Sequence, residues 1–227
     1  MVFRLDVDKA FTGTITTVSG NVGYGKNTFA VAAIRTMARK CFHGFRLEHL
    51  CPYCKKYGFG EKDRYLKVYA NFPIYLNKDP SLWYLECGML DTIQDYISLP
   101  QEKNHSVVVL DEPNAFGFDS HGSAHDKIAD QAGYKMQHTR KYNRDIIFLT
   151  QLWSMVNLRG KRLTSNTIFA VEPTNREFQY GWYKLDSIIP ISIRKSYARE
   201  KIFPYFDSGH IMGERDEPIQ DSGVIEA

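Results

Sequence analysis

Short apolar runs bounded by polar or turn residues recur along the chain and alternate with stretches of helical spacing. Residues 15–19 (ITTVS) predict a short buried strand, and residues 26–40 place Phe29, Ala33, Ile34 and Met37 on one helical face. Further on, residues 66–72 predict a strand, residues 85–97 an amphipathic helix that includes Cys87, and residues 106–110 (SVVVL) a fully buried strand. A helix over 124–142 then leads into a strand at 145–150 (DIIFLT), and another strand follows at 167–171 (TIFAV). Aromatic-rich 178–184 and the segment 188–193 predict antiparallel edge strands. Strands alternating with helices imply an α/β fold with a mainly parallel sheet flanked by helices. Residues 41–65 break the pattern and read as a small cysteine-containing insertion.

A chain of 227 residues, 43% hydrophobic and 24% charged, is long enough for one full-sized domain, expected over residues 1–213. No apolar run reaches the roughly 18 residues of a membrane helix, and the N-terminus MVFRLDVDKA lacks the apolar centre of a secretory signal. A soluble, cytoplasmic protein is expected. The net charge of +3 conceals an uneven distribution. Between Tyr134 and Arg162 lie Lys135, Arg140, Lys141, Arg144, Arg159, Lys161 and Arg162 against one acid, Asp145. Residues 214–227 reverse the balance and read as an acidic flexible tail. A basic stretch of this kind suits a polyanion, or is simply a solvated face.

The stretch GNVGYGKNT joins the first strand to the first helix and nearly spells a phosphate-binding loop, Gly20, Asn21, Val22, Gly23, Tyr24, Gly25, Lys26, Asn27, Thr28. Such loops work because glycines let backbone N–H groups close around an anion at a helix N-terminus, while the lysine adds a point charge. Asn27 stands where a hydroxyl residue normally ligates Mg²⁺, and its amide oxygen also suits that hard cation. In VVVLDEP, Asp111 and Glu112 follow a buried strand at the end where open α/β sheets bind ligands. Asp111 fits a Mg²⁺ acid and Glu112 a base for water, although a D-E pair there also caps helices. Gln151 ends the DIIFLT strand on the same sheet edge, placed to sense a terminal phosphate or hold the attacking water; the plainer alternative is a turn amide.

These motifs, in this order and spacing, resemble the FtsK–HerA superfamily of ring-forming, DNA-pumping ATPases, which have a RecA-like (ASCE) P-loop fold. Within it, HTRKYNRDIIFLTQ and KIFPYFDSG resemble the zonular occludens toxin-like assembly ATPases of filamentous phages, and the length resembles small viral genome-packaging ATPases. The resemblance implies ATP hydrolysis with Mg²⁺ coupled to DNA translocation, for packaging or virion assembly. Lys26 becomes the Walker A lysine, Asp111 and Glu112 the Walker B acids, and Gln151 the sensor. It further implies a homo-oligomeric ring, expected to be a hexamer, in which a neighbour supplies an arginine. Arg140, Arg144, Arg159 and Arg162 are candidates, with Arg140 taken forward as the catalytic one. Virion or assembly-complex proteins would be further partners. The toxin-like group usually carries a membrane helix after the ATPase domain, whereas a soluble viral or plasmid-borne motor is expected here.

Cys51 and Cys54 have zinc-knuckle spacing, with Cys41, His43 and His49 close enough in sequence to complete a Zn²⁺ site; plain thiols in a loop are the alternative. Two other function classes share the phosphate loop. One is a nucleoside or nucleotide phosphotransferase, the other a non-hydrolysing nucleotide-binding assembly protein, for which Asn27 is the best argument.

Overall fold

The computed structural model describes residues 13–38, 66–78, 85–101, 105–118, 127–152, 158–173, 177–184, 192–193, 197–198 and 203–206. The expected insertion at 41–65, with its candidate zinc ligands Cys41, His43, His49, Cys51 and Cys54, and the expected acidic tail at 214–227 lie outside the described residues.

The strands are β1 (Ile15–Ser19), β2 (Leu66–Ala70), β3 (Leu85–Met89), β4 (Ser106–Asp111), β5 (Arg144–Thr150), β6 (Asn166–Val171), β7 (Glu177–Lys184), β8 (Ser192–Ile193) and β9 (Tyr197–Ala198). They form one sheet in the order β3-β2-β4-β5-β1-β6-β7-β8, with β9 also pairing to β7. Pairing is parallel from β3 through β6, and antiparallel from β6 to β7 and beyond. This is the α/β architecture expected of a RecA-like P-loop domain, with its antiparallel edge.

The helices are α1 (Lys26–Ala38), α2 (Ile93–Ser98), α3 (Lys127–Gln137) and α4 (Leu158–Leu163). Alternation along the central strands divides the core in two. Val18, Val107, Val109, Ile147 and Leu149 pack with Phe29, Ala33 and Ile34 of α1 on one face. Val108, Leu110, Ile146 and Phe148 pack with Tyr96 of α2 and Ala132 and Met136 of α3 on the other. Both faces are therefore covered, which is why these strands read as continuous apolar runs. On α1 the expected face is buried at Phe29, Ala33 and Ile34, with Met37 packed at its margin.

One element differs from expectation. Residues 85–89 form an edge strand parallel to β2, and the helix begins only at Ile93. Apolar residues at 85, 89, 93, 96 and 97 satisfy a helical period only because a strand and a helix happen to abut. Gly88 and the Thr92–Asp95 capping box mark the break: Thr92 Oγ1 accepts from Asp95 N–H while Asp95 Oδ2 accepts from Thr92 N–H. Cys87 thus lies on a strand, half-buried against the α1-side core.

The basic stretch is also less uniform than its charges suggest. Arg144 is only 1% exposed and donates to Pro100 O (2.8 Å) and Ser106 Oγ (3.3 Å), while Lys135 Nζ donates to Leu99 O at 2.6 Å. Both cations serve carbonyls that follow the C-terminus of α2, where the helix dipole favours positive charge. Desolvation, then the nearby Arg144 charge, lowers the Lys135 pKa. Asp145, fully buried, accepts from Thr14 N–H and Oγ1 and pairs with His105. Arg140, Lys141 and Arg162 remain exposed.

A candidate nucleotide site at one sheet edge

Parallel β1, β5 and β4 end together, and the chain leaving each end carries a candidate residue. Ser19 pairs with Thr150 and Asp111 with Leu149, so the loop after β1, Gln151 after β5 and Glu112 after β4 meet at one edge. Because β5 lies between β1 and β4, Gln151 sits between the loop and the acids. Gly20 N–H donates to Thr150 O (3.2 Å) and Glu112 N–H to Leu149 O (2.8 Å), which continues the ladders past the strand ends.

The loop from Gly20 to Thr28 turns on glycines in left-handed conformation, Gly23 at φ 79° and Gly25 at φ 82°. Gly25 has a second constraint, since a Cβ there would lie 2.4 Å from the Phe178 ring. Tyr180, two residues on along β7, donates its hydroxyl to Gly25 O at 2.7 Å, and its ring meets Phe29 edge-on at 4.9 Å. The antiparallel part of the sheet thereby forms a floor for the loop. Asn21, Val22 and Gly23 form the exposed tip, and Tyr24 packs against the core. Lys26 heads α1, is 8% exposed, and donates from Nζ to Gly20 O (3.0 Å) and Asn21 O (3.4 Å). The lysine thus lies across the loop that its charge would serve. Thr28 is buried behind it.

Asn27 Nδ2 donates to Asp111 Oδ2 at 2.9 Å. Burial pushes the Asp111 carboxyl above its ordinary pKa, opposed by the Asn27 hydrogen bond, the Lys26 charge and the Glu112 main-chain N–H. Glu112 is raised for two reasons, desolvation first and the Asp111 charge second; Lys26 and hydrogen bonds from the Gln151 main chain and side chain oppose them. Two close carboxyl groups facing one lysine form a site that gains from an added cation. The oxygen set fits Mg²⁺: a carboxylate at Asp111, with Asn27 Oδ1 left as an acceptor once Nδ2 is committed to Asp111.

The Glu112 backbone has φ 45°, a left-handed conformation that costs a non-glycine residue about 1–2 kcal/mol. Hydrogen bonds hold it there. Besides the bond to Leu149 O, Glu112 O accepts from Ala115 N–H (2.9 Å) and Phe116 N–H (3.4 Å), opening a π-helical turn over Asn114–Phe118.

Lys26, Asn27, Asp111, Glu112 and Gln151 are therefore gathered at one edge. Arg140 is not among them. It belongs to the turn preceding β5, at the opposite end of the strand, against Gly13. Arg144 lies at that same far end and is buried, which removes it from the arginines that a neighbouring subunit could receive. Sequence reasoning missed Phe178 and Tyr180, whose role depends on an antiparallel strand returning beside the loop. It also missed Asn71, whose side chain bonds to the Asp111 main chain. The signal for Asn71 was a polar residue ending an apolar strand.

No protein-family model matches the chain, and comparison with curated proteins gives no match. Among solved structures, the N-terminal domain of zonular occludens toxin from Neisseria meningitidis has a similar fold, with a TM-score of 0.54 at 16% identity. The alignment covers 86% of this chain and 100% of that one. At this identity the likeness concerns the fold, and it agrees with a P-loop α/β domain. Among the described residues no helix is long and apolar enough to cross a membrane.

Proposed function

We propose that this chain is an ATP-hydrolysing motor of the FtsK–HerA type that moves DNA during viral genome packaging or virion assembly. The observation that carries the reading is the convergence of the Gly20–Thr28 loop, the Asp111–Glu112 pair and Gln151 on one sheet edge. The loop N–H groups and Lys26 bind the phosphates of ATP. Mg²⁺ held by Asp111 and Asn27 Oδ1 would draw charge from the terminal phosphate. Glu112 takes a proton from water as the water oxygen bonds to the γ-phosphorus and the bond to the ADP oxygen breaks. Its pKa, raised by desolvation and by the Asp111 charge, makes it a better proton acceptor than an ordinary carboxylate. Gln151 orients Glu112 and, through it, the water.

The ring, the trans arginine and the nucleic-acid partner rest on resemblance and on exposed Arg140, Lys141 and Arg162. Asn27 in place of the usual hydroxyl ligand favours a second reading, a nucleotide-binding assembly protein that does not turn over. Phosphate release with and without DNA separates the two. The motor hydrolyses ATP, faster with DNA, and its DNA affinity falls steeply with salt. Lys26→Ala should lose nucleotide binding, whereas Glu112→Gln should keep binding and trap ATP. Wild-type hydrolysis by Glu112→Gln means that the base is elsewhere.

A further inference from the structure

β2 stops pairing with β4 at Ala70, opposite Val109, so the Asp111 peptide groups have no main-chain partner on the β2 side. The Asn71 side chain supplies one. Its Oδ1 accepts from Asp111 N–H at 2.7 Å and its Nδ2 donates to Asp111 O at 2.8 Å, so the carboxamide acts as a final rung of the ladder. Asn71 is 6% exposed, and its own N–H reaches Val109 O at 3.4 Å. The Asp111 carbonyl belongs to the peptide linking Asp111 to Glu112, so gripping both groups of Asp111 fixes the torsions from which Glu112 departs. That departure is the left-handed φ of 45°.

We infer that Asn71 is a positioning residue for hydrolysis: its two hydrogen bonds to the Asp111 main chain aim the Glu112 carboxylate, although Asn71 touches neither substrate nor the reacting water. The inference rests on the reading of Glu112 as the base. A carboxamide is required because it presents a donor and an acceptor side by side, as a peptide does; alanine presents neither, and aspartate only the acceptor.

The test compares full-length wild type, Asn71→Ala, Glu112→Gln and the double variant for single-turnover ATP hydrolysis, for ATP affinity with Mg²⁺, and for thermal melting. Misdirecting a reacting group by a fraction of an ångström to one ångström should lower the hydrolysis rate about tenfold to a hundredfold. ATP affinity should stay within about twofold, because the loop and Lys26 are untouched. In the Glu112→Gln background, Asn71→Ala should change the residual rate by less than about twofold, since the group it positions is already gone. A merely structural role predicts a similar fold-loss in both backgrounds. That result overturns the inference, as does an unchanged rate or a loss confined to affinity. If Asn71→Ala fails to fold, Asn71→Asp keeps the shape and the Asp111 N–H bond while removing the donor to the Asp111 carbonyl, and the same comparisons apply. A wild type that binds ATP without hydrolysing it defeats the functional reading and this inference together, whereas a hydrolysing wild type that Glu112→Gln disables leaves Asn71 alone on trial.

Discussion

Asn27 and Asp111 are joined by a hydrogen bond of 2.9 Å between the first turn of α1 and the end of β4, two elements 84 residues apart in sequence. A serine or threonine at this position has one oxygen with which to meet both the acid and a cation. An amide can divide the two tasks between two atoms, with Nδ2 on Asp111 and Oδ1 as the acceptor that a cation would use. Asn27 is therefore compatible with a working site, and it also steadies a carboxylate that burial disfavours.

Replacing Asn27 by serine should leave ATP turnover equal or higher. Asn27→Ala should raise the Mg²⁺ concentration needed for half-maximal turnover about tenfold, given the roughly 1.5–3 kcal/mol of a hydrogen bond to a charged group. A magnesium titration of both variants reads this directly. Equal Mg²⁺ dependence in Asn27→Ala and wild type would place the cation elsewhere.

The floor under the loop makes a separate forecast. Gly25→Ala combines a left-handed backbone with a Cβ driven into the Phe178 ring, so it should destabilise the protein by about 2–5 kcal/mol. Adding Phe178→Ala should not restore it, because the backbone strain persists and a cavity opens. Tyr180→Phe removes the bond to Gly25 O, a loss of about 1 kcal/mol, and should weaken nucleotide binding more than it slows hydrolysis. Denaturant titration and nucleotide binding provide the two measurements.

The parts legible in the sequence were those written locally. Val107 to Leu110 and Ile146 to Leu149 announce buried strands because both sheet faces are covered, and the loop and acid pair announce themselves by spacing. The failure at residues 85–97 has a local cause, since the Thr92–Asp95 capping box was present in the sequence and outweighs a coincidental period. Asn71, Phe178 and Tyr180 could not be found this way. Their roles depend on which strands become neighbours, and a polar residue closing one strand does not name the main chain it will meet. The charges of 135–144 mislead for the same reason: Lys135 and Arg144 look like solvent-facing cations until the carbonyls of Leu99 and Pro100, just past α2, take their hydrogen bonds.

Buried acids give a pH dependence whose sign can be worked out. Asp111 and Glu112 both have pKa values raised in the fold. Their ionised forms therefore oppose folding, and stability grows as pH falls through the raised values toward the ordinary ones near 4. Asp111→Asn removes one of these charges, so the variant should melt higher than wild type at neutral pH, by roughly 2–4 °C per kcal/mol regained. The difference should shrink as the wild-type carboxyl protonates. Melting curves of the two proteins between about pH 4 and pH 8 test this, and the difference curve removes contributions common to both. A difference that widens on acidification would mean that Asp111 is stabilised as an anion.

The last prediction concerns the arginine expected from a neighbouring subunit. Arg140 lies at the sheet end opposite its own protomer's site, so any part it plays in chemistry must be played in another protomer's. In a head-to-tail ring each site joins Lys26 of one subunit to an arginine of the next. Arg140→Ala, Arg159→Ala or Arg162→Ala, whichever removes that arginine, should slow turnover about a thousandfold. Mixed in equal amounts with Lys26→Ala, it should recover roughly a quarter of wild-type turnover, because one interface in four then joins an intact loop to an intact arginine. Arg144→Ala should behave differently. Its guanidinium is 1% exposed and bonded within its own protomer, so the substitution should lower the melting temperature and gain nothing from mixing. Mixing experiments in which none of these three variants recovers activity, while each mutant protein remains folded, would argue for a site completed within one chain.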